Sequence, residues 1–136
     1  MGDTREMAAK FDEVLKAGDF GKLAALTQEY AADDFVEEWP QSGERLSKAA
    51  SIKLTENYPE MSGKSPTFKY RRMLGGGDIF VVEGTIDYGD GVPVSYVSIA
   101  EMRDGKIARV TEYFANPFEA PAWRADFVDK MEPAKV

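Results

Sequence analysis

Residues 96–114, YVSIAEMRDGKIARVTEYF, constrain the fold more than any other segment. Two alternating arms flank Asp104-Gly105. Aspartate and glycine tolerate the positive φ angles of a type I′ turn, so the segment predicts a two-residue β-hairpin. Alternation gives each arm two faces. On the first arm Tyr96, Ser98, Ala100 and Met102 share one face; Val97, Ile99, Glu101 and Arg103 share the other. On the second arm Val110, Glu112 and Phe114 alternate with Arg109, Thr111 and Tyr113. Glu101 and Arg103 beside the turn suit water, so the Tyr96 set is expected to face inward.

The same period of two begins at Thr67. It predicts strands over 67–74, 79–88, 92–103 and 106–115, separated by Gly75-Gly76-Gly77, Gly89-Asp90-Gly91 and the Asp104-Gly105 turn. That is a four-stranded antiparallel meander. Ahead of it the period is helical. Residues 3–17 form a first helix, with Asp3 as cap, Met7, Phe11, Val14 and Leu15 on one face, and Gly18 as stop. Asp19 caps a second helix over 20–29, with Leu23, Leu26 and Tyr30 inward. Ser47 caps a third over 48–57, with Leu46 as a staple, Ala49, Ile52 and Tyr58 as apolar positions, and Pro59 as stop.

Between the second and third helices, 33–40 reads as a lone strand with Phe35, Glu37 and Trp39 on one face; 41–44 reads as a turn. Residues 61–66 read as a polar loop. A last short helix over 121–130 offers Ala122, Trp123 and Phe127 for packing, and 132–136 reads as a frayed end. Helices segregated from sheet make the class α+β. The length of 136 residues fits one domain over 1–136.

Composition narrows the chemistry. There is no cysteine, so disulfides, thiolate metal sites and cysteine nucleophiles are excluded, and a cytoplasmic location is expected. There is no histidine either, which removes the commonest general base and metal ligand. Net charge is −7 and the densest cationic spot is the pair Arg71-Arg72, so nucleic acid is not an expected partner. No apolar run approaches the roughly 20 residues of a membrane helix, and the first residues lack the apolar stretch of a signal peptide.

Helix, helix, short strand, helix and long meander resemble the nuclear transport factor 2-like superfamily. Three stretches resemble its SnoaL-like, polyketide-cyclase-like branch: YAADDFVEEWPQSGERL (30–46), VVEGTIDYGDG (81–91) and RDGKIARVTEYFANPFEAPAWR (103–124). The resemblance implies a cone-shaped α+β barrel, with three N-terminal helices packed in a curved, mostly antiparallel sheet around a pocket. It implies that Val110, Glu112 and Phe114 face the pocket with Phe35, Glu37, Trp39, Tyr96 and Ser98. Glu83 can face either way, because long strands in this fold often carry a bulge. No metal or organic cofactor is expected.

The expected pocket is aromatic and carries two acids. Burial raises the pKa of a carboxylate, so Glu112 and Glu37 are candidates for acid/base chemistry on an apolar carbonyl substrate. The competing reading makes Glu112 structural, paired with Arg72, Arg109 or a pocket tyrosine, in a module that binds a small apolar molecule without turnover. Ketosteroid isomerases of the superfamily use acids at positions that here hold Trp39 and Ser98, so chemistry of that type is not expected. The arginine between two aspartates of its epoxide hydrolases is not evident. The convex face, with Val97, Ile99, Thr111 and Tyr113, is the expected homodimer surface.

Overall fold

A computed structural model describes residues 4–62 and 66–135. Helix α1, Arg5–Ala17, buries Met7, Phe11 and Leu15, which recur at helical spacing. Asp3, the expected cap, lies outside the described residues. The helix ends on Gly18 at φ 74°, where an added Cβ would lie 2.7 Å from the Phe68 carbonyl oxygen. That close approach lets the Phe68 amide donate to the Gly18 carbonyl, which ties the helical corner to the sheet. Helix α2, Phe20–Tyr30, starts where the Asp19 carboxylate accepts from the Lys22 amide, and it buries Leu23 and Leu26.

Strand β1, Ala31–Trp39, pairs antiparallel with β2, Glu44–Ser47. Residues 44–47 were expected as the end of a turn and the start of a helix. They form an edge strand instead, because the 40–43 turn is tight and sends the chain back along β1. Helix α3, Lys48–Ser62, is capped by the Ser47 hydroxyl, which accepts from the Ala50 amide. It continues past Pro59, where the missing N–H removes one rung of the helix rather than ending it.

The meander is as expected in order: β3 Thr67–Gly76, β4 Ile79–Asp87, β5 Val94–Arg103 and β6 Lys106–Ala115. The turn between β5 and β6 places Asp104 at φ 53° and Gly105 at 75°, both positive as type I′ geometry requires. The sheet order is β2-β1-β6-β5-β4-β3. β1 is therefore not a lone strand: it lies beside β6 and runs parallel to it, with Glu37 opposite Val110. The six strands form one curved, unclosed sheet, and the helices pack in its concave side. Leu15 and Ile86, 1% and 0% exposed, anchor the contact between α1 and sheet. Burying side chains of this size stabilises the fold by about 1.5–3 kcal/mol each.

Two bulges set which side chains face inward. Between Tyr70 and Arg72 the β3–β4 register slips by one. Arg71 and Arg72 then both bond Glu83, at 2.8 and 2.7 Å, and Met73 returns to the concave side. Glu83 thus faces outward, its pKa lowered first by the hydrogen bond from Arg72. A second slip between Glu101 and Met102 leaves Ala108 without a partner and turns both Ile107 and Val110 inward.

After β6 the chain forms a 3-10 helix, Ala122–Phe127, shorter than the expected 121–130. Phe118, Trp123 and Phe127 are 76–83% exposed, so the packing expected of this segment is not made within the chain. None of the described helices is long and apolar enough to cross a membrane.

Candidate functional site

The concave side of the sheet and the three helices enclose a cavity of about 560 Å³. Phe35, Glu37, Trp39, Tyr96, Ser98, Val110, Glu112 and Phe114 all line it. Strand alternation explains this grouping: the eight come from the inward faces of β1, β5 and β6, which are neighbours in the sheet.

Glu112 lies at the centre of the polar floor and is 7% exposed. The Trp39 indole N–H donates to its Oε1 at 3.0 Å, and the Tyr96 hydroxyl donates to its Oε2. Glu37 is diagonal to it across the parallel β1–β6 pair and hydrogen-bonds the Glu112 carboxyl. The Ser51 hydroxyl donates to Glu37 Oε1 at 2.8 Å. Burial pushes the Glu112 carboxyl well above the usual carboxylate range, and the hydrogen bond and charge of Glu37 raise it further. Burial also holds the Tyr96 phenol well above 10, which keeps it a hydrogen-bond donor. Two carboxyls surrounded by three donors can hold a proton between them, release it to a ligand atom and take one back.

The arginines that could have locked Glu112 are elsewhere. Arg72 bonds Glu83, and Arg109 bonds Glu38 at 3.1 Å, both on the convex side. The pocket tyrosine that holds Glu112 is Tyr96. Ser98 is the direct cross-strand partner of Glu112.

Aromatic rings wall the acid end. Trp39 meets Phe114 edge-on at 6.3 Å between centroids, and Phe114 lies 5.3 Å from Tyr96. Farther in, Met7, Phe11, Leu23, Phe80 and Ile107 make the wall apolar. Tyr88 also lines the cavity, its phenol pushed up to about 12 by burial and by Tyr58 and Glu112.

The sequence reading missed the part played by α3. Ala49, Ile52 and Tyr58 were the expected apolar positions; Tyr58 does line the cavity, but with Ser51 and Thr55 rather than with Ala49 and Ile52. Ser51, Thr55 and Tyr58 stand at spacings of four and three, which is one helical face. A search for apolar periodicity passes over a face that is polar because it covers acids. Among the described residues, no three acidic side chains cluster to hold a metal ion.

Helices inside a curved, unclosed six-stranded sheet, with a cavity between, define the cone-shaped α+β fold of nuclear transport factor 2-like proteins. The SnoaL-like domain family matches residues 8–110, and the chain belongs to that family. A nuclear transport factor 2-like protein of unknown function from Burkholderia xenovorans LB400 is 31% identical, over 95% of this chain and 99% of that one, with a TM-score of 0.72. A candidate ketosteroid isomerase from Kribbella flavida DSM 17836 is 25% identical, over 96% and 90% of the two chains, with a TM-score of 0.75. A candidate SnoaL-like polyketide cyclase from Mesorhizobium loti shares the fold, at 22% identity over 82% and 99%, with a TM-score of 0.62. None of the curated proteins matches the chain.

Proposed function

We propose that this protein is a cofactor-independent cyclase, isomerase or lyase that works by carboxylate acid/base chemistry on an apolar carbonyl substrate. The observation that carries the reading is the pair of buried Glu112 and half-buried Glu37 at the end of an apolar cavity, held by uncharged donors rather than by arginine. Acids neutralised by arginine would support a binding module; a pair that keeps a proton in play supports an enzyme. Glu37, as carboxylate, takes a proton from the carbon next to the substrate carbonyl. Glu112 gives its proton to the carbonyl oxygen as the enol forms, and returning the proton to another carbon or closing a ring completes turnover. Tyr96 and Trp39 hold Glu112 in place.

The test follows the exchange of substrate α-protons in D2O across a panel of aryl ketones, by NMR. Glu112→Gln and Glu37→Gln should each slow exchange by about 100-fold, the lower end of a general acid/base contribution. Exchange as fast in both folded variants as in the wild type refutes the assignment.

The reading extends to assembly. Leu74, Val81, Ile99 and Thr111 are paired in register across β3, β4, β5 and β6, and Val97 and Tyr113 flank that row on the same face. A row of this kind across four strands supports a two-fold homodimer packed sheet to sheet. A chain without cysteine suits a reducing compartment, which supports a cytoplasmic location.

A further inference from the structure

We infer that the cavity selects its ligand by charge: it takes a neutral, ring-containing ketone or ester and rejects an organic anion of the same size and shape. This rests on the acid/base reading above and names the charge that the substrate must carry.

The wall supplies the argument. Among the described residues it contains Glu37 and Glu112 and not one lysine or arginine, and the chain has no histidine. The arginines of the sheet are paired with carboxylates other than these two: Arg71 and Arg72 with Glu83, Arg45 and Arg109 with Glu38, Arg103 with Asp34. Lys48 donates to the Ala31 carbonyl. An anion entering the cavity would lose its water without gaining a counter-charge. It would also face the negative charge of the acid pair across a medium that screens poorly.

Trp39, Tyr96 and Ser51 donate to three of the four carboxyl oxygens and hold the pair in place. A carbonyl oxygen needs a donor, which the protonated form of Glu112 supplies. The ring preference comes from Trp39, Phe114 and Tyr96, whose tilted and edge-on packing leaves flat surfaces next to the acids. A volume of about 560 Å³ falls within the range of pockets that enclose drug-sized ligands.

Two naphthalenes of matched shape test the inference: 2-acetylnaphthalene and 2-naphthoate. Binding of each to the full chain is measured by calorimetry at pH 8. The ketone should bind, and the naphthoate about thirtyfold more weakly, which is about 2 kcal/mol at 1.4 kcal/mol per tenfold. In the Glu37→Gln/Glu112→Gln double variant the ratio should fall to about threefold or less. If that variant does not fold, the wild-type ratio decides alone. Naphthoate binding as tightly as the ketone overturns the inference, and so does failure of the ketone to bind at millimolar concentration. Ketone selectivity without α-proton exchange spares this inference and removes the proposed activity. Exchange together with tight naphthoate binding does the reverse.

Discussion

Replacing Glu112 by glutamine tests whether the buried carboxyl keeps its proton. The variant preserves size and most of the network. The new amide oxygen can accept from the Trp39 indole, and the new amide nitrogen can donate to the Tyr96 hydroxyl, which rotates to accept. What disappears is the titration. In the wild type, burial first, then the hydrogen bond and charge of Glu37, raise the Glu112 pKa in the folded state. Unfolded glutamate loses its proton near pH 4.3. Above that pH the unfolded chain has released a proton that the folded chain still holds. Glu112 therefore contributes stability that is complete below about pH 4.3 and drains away as pH rises, by about 1.4 kcal/mol per unit, until the folded pKa is passed.

The wild type loses this stability at every step of pH between the unfolded and the folded pKa, and the Glu112→Gln variant escapes the loss. Urea denaturation followed by circular dichroism at half-unit intervals from pH 5 to 8 gives the comparison. The stability difference, variant minus wild type, should climb by about 1.4 kcal/mol per pH unit in favour of the variant before levelling. Titrating groups that do not touch Glu112 are common to both proteins and cancel. A difference that stays flat, within about 0.3 kcal/mol per unit, means that Glu112 titrates like an exposed glutamate and refutes the reasoning. Glu37→Gln should end the climb at a lower pH, because it removes the two contributions of Glu37.

Two further predictions concern the scaffold. At Gly84 an added Cβ would lie 2.3 Å from Phe68 Cζ and 2.5 Å from the Lys69 carbonyl oxygen, so Gly84→Ala should cost about 2–3 kcal/mol in thermal or urea denaturation. An unchanged unfolding midpoint would mean that the Phe68 ring is not fixed over β4. On the convex face, Ile99→Arg should convert the proposed dimer to a monomer in sedimentation at micromolar concentration. A wild-type chain that already sediments as a monomer defeats that surface.

The inward face of β5 was legible because side-chain alternation is a local property. Tyr96 and Ser98 follow from counting in twos back from Asp104-Gly105. On β6 the same count would set Arg109, Thr111 and Tyr113 inward; the slip at Ala108 reverses it, and the inward place of Glu112 and Phe114 came from the family resemblance instead. Glu83 faces outward by plain alternation on β4, opposite Val97. What was not legible is the slip at Arg71 on β3, which brings two arginines to that one carboxylate, since nothing in the local pattern marks which residue is extra. Ser51 escaped for another reason. A serine on a helix normally faces water, and only the acid of β1 beneath it makes the inward position favourable. The pairing of β1 with β6 was equally hidden, since contact between strands so distant in sequence leaves no periodic trace.

That pairing bears on how the protein is made. Every other neighbour in the sheet is reached through a hairpin turn or an adjacent connection; β1 and β6 must find each other across the whole meander. The Trp39–Glu112 hydrogen bond closes a loop of 73 residues. Long closures of this kind come late in folding, because their entropy must be lost before any contact offsets it. During synthesis the first half of the carboxyl pair waits on an incomplete cup until β6 leaves the ribosome. The two carboxyls come together only once β6 has been made, and a product truncated before residue 112 has much of the apolar wall without Glu112.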